Sequence, residues 1–153
     1  MITRPSTSRI LEDIVEEITR DIMPSITDPA QQIRLSMLMI VLNNCANASE
    51  REIAVMRQEI PVYLQFAADV ASATGNEDVA AAVDFAQPGE SLVLSDVISD
   101  YQRASRAFTT AMDLVMDTVN REFIERGEGI LQTRMDNERA ILSGVSAVGR
   151  SAS

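Results

Sequence analysis

The sequence contains no histidine, no lysine and no tryptophan, one cysteine, and only 4% aromatic residues. Each absence excludes chemistry. Without histidine there is no Ser–His–Asp or Cys–His catalytic set and no imidazole metal ligand, and the Glu-x-x-His pairs of di-iron bundles cannot form. Without lysine there is no Schiff-base amine and no phosphate-loop lysine. Neither GxGxxG nor GxSxG occurs. A single cysteine forbids an intrachain disulfide and gives no sign of an oxidising compartment. The longest strongly apolar run, Met37–Leu42, is far short of the ~20 residues that span a bilayer. The N-terminal stretch turns acidic before any signal-peptide hydrophobic region develops. A cytoplasmic chain without cofactors is expected.

Charge of one sign is also scarce. All 13 basic residues are arginine, against 23 acids, for a net charge of -10. Phosphate backbones and anionic lipid surfaces are bound by neutralising their charge, so neither nucleic acid nor membrane is an expected partner.

What is present is helical: Ala, Leu, Ile, Met, Glu and Arg in abundance, with few strand formers. At 153 residues a single helical domain is expected over 1–153, with 148–153 a frayed tail. Ile10, Leu11, Ile14, Val15, Ile18 and Ile22 repeat at helical spacing, predicting a first helix from Ser6 or Thr7 to Met23, ended by Pro24. "DPAQ" opens the second, with Asp28 as cap, Pro29 in the first turn and Gln31 reaching back. Its stripe runs Leu35, Leu38, Leu42, Cys45, Ser49, Ile53, Met56 and Ile60. Pro61 either kinks this helix or starts another, and Gly75 ends the helical stretch beyond it. A short Ala-rich helix and a Pro88–Gly89 loop come next.

A long helix is predicted over Ser91–Glu125, its stripe reading Leu94, Val97, Ile98, Tyr101, Ser105, Phe108, Met112, Val115, Val119 and Phe123. Gly127 and Gly129 then form a break, and a last helix covers Ile130–Val148, with Leu131, Met135, Ile141, Leu142 and Val145 apolar. The expected architecture is all-α: an antiparallel helical bundle with two long helices as its spine.

Few residues remain for chemistry. Cys45 on its apolar stripe reads as a small buried hydrophobe rather than a thiolate, since no base stands nearby. The pairs Asp96/Asp100 and Asp113/Asp117 could share a proton or a hard metal ion, yet read better as a solvated acidic face offset by Asp117–Arg121 and Glu122–Arg126. Arg103 and Arg106 could clamp an anion, with surface solvation the simpler reading. The segment "NNCANASEREI" is different. Asn44, Asn47 and Arg51 fall on one helix face, with Glu52 adjacent, and asparagine weakens a helix unless its amide is used. These four residues are the interface candidates.

Three stretches carry a resemblance: "DIMPSI", "NNCANASEREI" through Asn44, Arg51, Glu52 and Ile53, and "DNER" at Asp136–Arg139, where Glu138 replaces a proline. Together they resemble a family of small all-helical bacterial proteins of unknown function, encoded beside aminoglycoside-phosphotransferase-like kinases and acyl-CoA dehydrogenases. The resemblance covers about a third of the chain, with no match over Val62–Gly129. It implies a non-catalytic accessory subunit that binds a kinase-like or acyl-CoA-handling enzyme. Two alternatives stay open: a self-assembling scaffold bundle, including a homodimer, and a small ligand binder or enzyme using carboxylates and Arg51.

Overall fold

The computed structural model describes residues 4–118 and 120–142. They form an all-α bundle: α1 (Thr7–Glu17), α2 (Pro29–Thr74), α3 (Glu77–Phe85), α4 (Leu94–Asp117) and α5 (Arg121–Ile141). No strand occurs among the described residues.

Local chemistry accounts for most boundaries. Ser6 caps α1 by accepting from the Arg9 amide at 3.1 Å. The predicted first helix does not stay α-helical to Met23. It widens into a π turn over Ile18–Ile22 and tightens into a 3-10 turn over Met23–Ser25, where Pro24 sits. Asp28 caps α2 by accepting from the Ala30 amide at 3.0 Å, and Gln32 Nε2 donates back to the Ile26 carbonyl at 2.7 Å. α2 then runs unbroken through Ser49 and Pro61. Pro61 removes one helical hydrogen bond, but Ile60, Tyr63 and Phe66 around it are all buried, and that packing holds the helix. Gly75, at φ 67, stops it with its amide on the Ala71 carbonyl.

The predicted Ser91–Glu125 helix is two helices. α4 ends at Asp117, and Asn120 starts α5, its side chain accepting from the Phe123 amide and its carbonyl from the Ile124 amide. The proposed Asp117–Arg121 pair therefore straddles a break, and Val119 lies outside the described residues. Gly127 and Gly129 lie inside α5 and break nothing. Gly127 is a close-approach glycine: a Cβ there would collide with the Met112 thioether and stand 3.4 Å from the Phe66 ring. The part of the predicted last helix beyond Leu142, with Val145 and the tail, lies outside the described residues.

The chain divides into two compact units. In the unit Ile53–Asn137, the core is Ile60, Tyr63, Phe66, Ala67 and Val70 of α2 against Val79 of α3 and Ala104, Ala107, Phe108, Ala111 and Val115 of α4. Phe66 also meets Phe123 of α5 edge-on, with ring centres 6.0 Å apart. Three fully buried alanines let α4 approach closely, so its seam reads Val97, Asp100, Ala104, Ala107/Phe108, Ala111 and Val115. That is about one residue out of phase with the apolar stripe expected at Leu94, Ile98 and Ser105. In the unit 1–52 with 138–153, α1 and the first part of α2 form an antiparallel hairpin. Ser8 donates to Glu50 at 2.8 Å, and Thr19 to the Met39 sulfur at 3.4 Å.

Candidate functional site

Two carboxylates are buried, and both gather polar partners within the unit Ile53–Asn137. Glu59 (7% exposed) sits one turn before Tyr63 on α2. Its Oε2 accepts from Tyr63 at 2.9 Å and from Tyr101 of α4 at 2.7 Å, and its Oε1 accepts from Asn137 Nδ2 of α5 at 2.7 Å. The two phenol oxygens are 3.1 Å apart. Burial, reinforced by the hydrogen bonds to Tyr101 and Glu59, pushes the Tyr63 phenol well above its ordinary range. Burial also raises Tyr101. Both remain neutral donors, which keeps Glu59 satisfied as an acceptor.

This cluster floors a cleft of about 450 Å³ between α2 and α5, lined by Glu59, Val62, Arg126, Gly129, Ile130 and Arg134 among others. Arg134 stands over the Tyr101 ring at 5.9 Å. Arg126 stands over Phe66 at 5.7 Å and pairs with Asp69 at 2.6 Å. That ion pair, helped by a hydrogen bond from Gln65, holds the Asp69 carboxyl below its usual range. Arg126 thus reaches across to α2, in place of the Glu122 contact its spacing suggested. Gly129 differs from Gly127: a Cβ there would meet nothing within 4 Å. Inside a helix such a glycine costs about 1 kcal/mol relative to alanine, and nothing in the chain's own packing requires it.

Asp100 (5% exposed) is the second hub. Its Oδ2 accepts from Arg57 Nη1 at 3.0 Å and from the Gly89 amide at 3.1 Å, and its Oδ1 pairs with Arg103. Arg57 also donates to the Ser91 carbonyl. Asp100 is therefore no partner for Asp96, whose Oδ2 instead accepts from Ser91 Oγ at 2.7 Å. The solvated acidic face expected at Asp96/Asp100 gives way at Asp100 to a buried fastener that ties the Pro88–Ser91 loop to α2 and α4. Arg103 serves that fastener, while Arg106 is exposed. Among the described residues no group of three His, Cys, Asp or Glu side chains is arranged to hold a metal ion.

The interface candidates all lie in the other unit. Asn47 has a structural job, donating its amide to the Ile141 carbonyl at 3.3 Å and so capping the end of α5. Asn44 is half-buried, with Oδ1 shielded and unpartnered. Arg51 is exposed and Glu52 half-buried. The other side of this helix differs from expectation: Cys45 and Ser49 are exposed, and Ala46, one position away, is buried.

Sequence reasoning missed Glu59, Tyr63, Tyr101 and Asn137. The available signal was an acid beside Ile60 on an apolar face with a tyrosine one turn later, facing the chain's one other tyrosine. Fold and sites together define an all-α bundle with two internally satisfied acidic hubs. No protein-family model matches the chain, and neither a curated protein nor a solved structure matches it. No helix among the described residues is long and apolar enough to cross a membrane.

Proposed function

We propose that this chain is a non-catalytic helical interaction protein. The observation that carries the reading is the N-terminal hairpin, whose described residues leave Ile10, Ile14 and Leu38 exposed on one broad face, with Ile33 and Met37 exposed on another side of α2. Large apolar side chains grouped this way mark association surfaces. The chemistry agrees: with no histidine or lysine in the chain, and with both buried carboxylates bonded to its own side chains, no poised acid, base or nucleophile stands out.

The short motifs at "NNCANASEREI" and "DNER" support a specific partner class, a phosphotransferase-like or acyl-CoA-handling enzyme to which the chain is an accessory subunit. Arg51 is the residue best placed to grip a partner's carboxylate. The test is stoichiometric co-elution of the purified chain with such an enzyme from the same host. Arg51→Ala should weaken that complex while leaving the melting temperature unchanged. Loss of several kcal/mol of stability in Arg51→Ala, or no co-elution with either enzyme class, overturns the partner assignment.

A second reading is favoured by Gly129 alone. A mid-helix glycine with open space at its Cβ, lining a cleft rimmed by Arg126 and Arg134, suits a small organic anion approaching the backbone closely. Hexanoate and inorganic phosphate are suitable probes. A rise in melting temperature that Gly129→Leu abolishes supports a ligand site, and no rise with either anion removes it.

A further inference from the structure

The hairpin is half of a structure. Among the described residues of its unit only Ser8 and Ala46 are buried, so its apolar side chains have no core. At 100° per residue, the Ser8–Glu50 and Thr19–Met39 contacts fix which side of each helix faces the other. Ile10, Ile14 and Ile18 of the first helix then fall on the same broad face as Leu35, Leu38, Leu42 and Cys45 of α2. On this face Ile10 is 47%, Ile14 39% and Leu38 58% exposed, and Cys45 is exposed. Asn44, Asn47 and Arg51 fall on the opposite side of α2.

We infer that a second copy of this chain covers this face, so that two hairpins stack into a four-helix bundle. The inference rests on reading the chain as an interaction protein and names the occupant of its apolar face. Three arguments select a second copy. A two-helix layer lacks only another two-helix layer, and helices bury their stripes in two-layer packings. An identical hairpin supplies that layer, and two-fold pairing of one patch with itself is the commonest route to a closed assembly. The size also fits. Ile10, Ile14 and Leu38 are 39–58% exposed and Ile18, Leu35 and Leu42 are half-buried beside them, an apolar patch of the few-hundred-Å² class that marks an association surface. With the two-fold axis running along the helices, α1 of one copy lies antiparallel on α2 of the other.

Cys45 makes the test direct, because it is the only thiol in the chain and lies on the proposed interface. Sedimentation equilibrium at micromolar concentration should give a dimer. The rate at which a maleimide labels Cys45 should fall as protein concentration rises through the dissociation constant. Leu38→Glu places a charge on each half of the interface and should raise that constant at least ~100-fold, restoring fast labelling with helix content unchanged. Ile14→Gln on the facing helix should act in the same direction, which guards against a folding defect in one variant. A monomeric wild type with fast labelling at every concentration overturns the inference, yet leaves a different protein partner on this face standing. A monomeric wild type with slow labelling at every concentration overturns both, because the face would then be covered from within the chain.

Discussion

Replacing Glu59 by alanine removes the acceptor from three donors at once: Tyr63 at 2.9 Å, Tyr101 at 2.7 Å and Asn137 at 2.7 Å. The two phenols remain 3.1 Å apart, so one can donate to the other and only one of the two O–H groups is stranded. Asn137 lines the cleft and recovers part of its loss from water. One fully orphaned buried donor costs about 1–3 kcal/mol and a partly hydrated one less; removing a buried charge returns part of the desolvation cost. The net expectation is a loss of about 2–4 kcal/mol, seen as a urea midpoint lowered by roughly 1–2 M. Glu59→Gln is the informative control. Its amide oxygen still accepts from both phenols, and its NH₂ is accommodated once Asn137 turns its own amide to present oxygen. Its loss should be about 1 kcal/mol. Equal losses in the two variants would show that charge rather than acceptor count holds the cluster. A loss under about 0.5 kcal/mol in Glu59→Ala would refute its burial altogether.

The tyrosines give a spectroscopic companion. Tyr63 and Tyr101 are the only tyrosines and there is no tryptophan, so ultraviolet phenolate absorbance reports on this cluster alone. Their folded pKa values lie above the ordinary 10.0, so the folded state holds its protons more tightly. Stability should be full below about pH 10 and fall as pH rises beyond it, with phenolate and helix loss coinciding; independent phenolate formation in a folded chain would contradict this. Asp69 has the opposite sign. Its lowered pKa contributes stability above the ordinary 3.8 that is lost on acidification, and Asp69→Asn should remove that part of the acid dependence. Gly129→Ala should stabilise by about 0.5–1 kcal/mol in thermal melts, whereas Gly127→Ala should trail it by about 1 kcal/mol or more because Met112 must move; equal gains would refute the close approach. Asp100→Ala strands Arg57 and Arg103 and should cost about 2–4 kcal/mol in denaturant unfolding, partly relieved because Arg57 is 21% solvent-exposed.

The helices were legible because their signals are local. Ser6, Asp28 and Gly75 each act within four residues, and no distant contact is needed to read them. The break at Asn120 was missed for the opposite reason: the apolar period continues across it from Val115 to Phe123, and asparagine is a weaker stop than the two glycines after it. Those glycines misled because Gly127 answers to Met112 on α4, which sequence spacing cannot show. The phase of α4 was misread since Ala104, Ala107 and Ala111 carry little hydrophobic signal but sit at the tightest contacts. Asp100 and Glu59 are the sharpest case. Charges on an apolar face read as solvated until the tertiary fold brings Arg57 to one, and Tyr101 and Asn137 to the other.

If the N-terminal hairpin is completed by association while the unit Ile53–Asn137 carries its own core, the two should differ in how they respond to protein concentration. Hydrogen exchange as a function of protein concentration tests this most directly. Protection of amides across Thr7–Glu17 and residues 29–52 should grow with concentration, while that of Ile60–Val70 and Ala104–Val115 stays constant. Hairpin protection that is high and independent of concentration would show that the hairpin is complete within one chain.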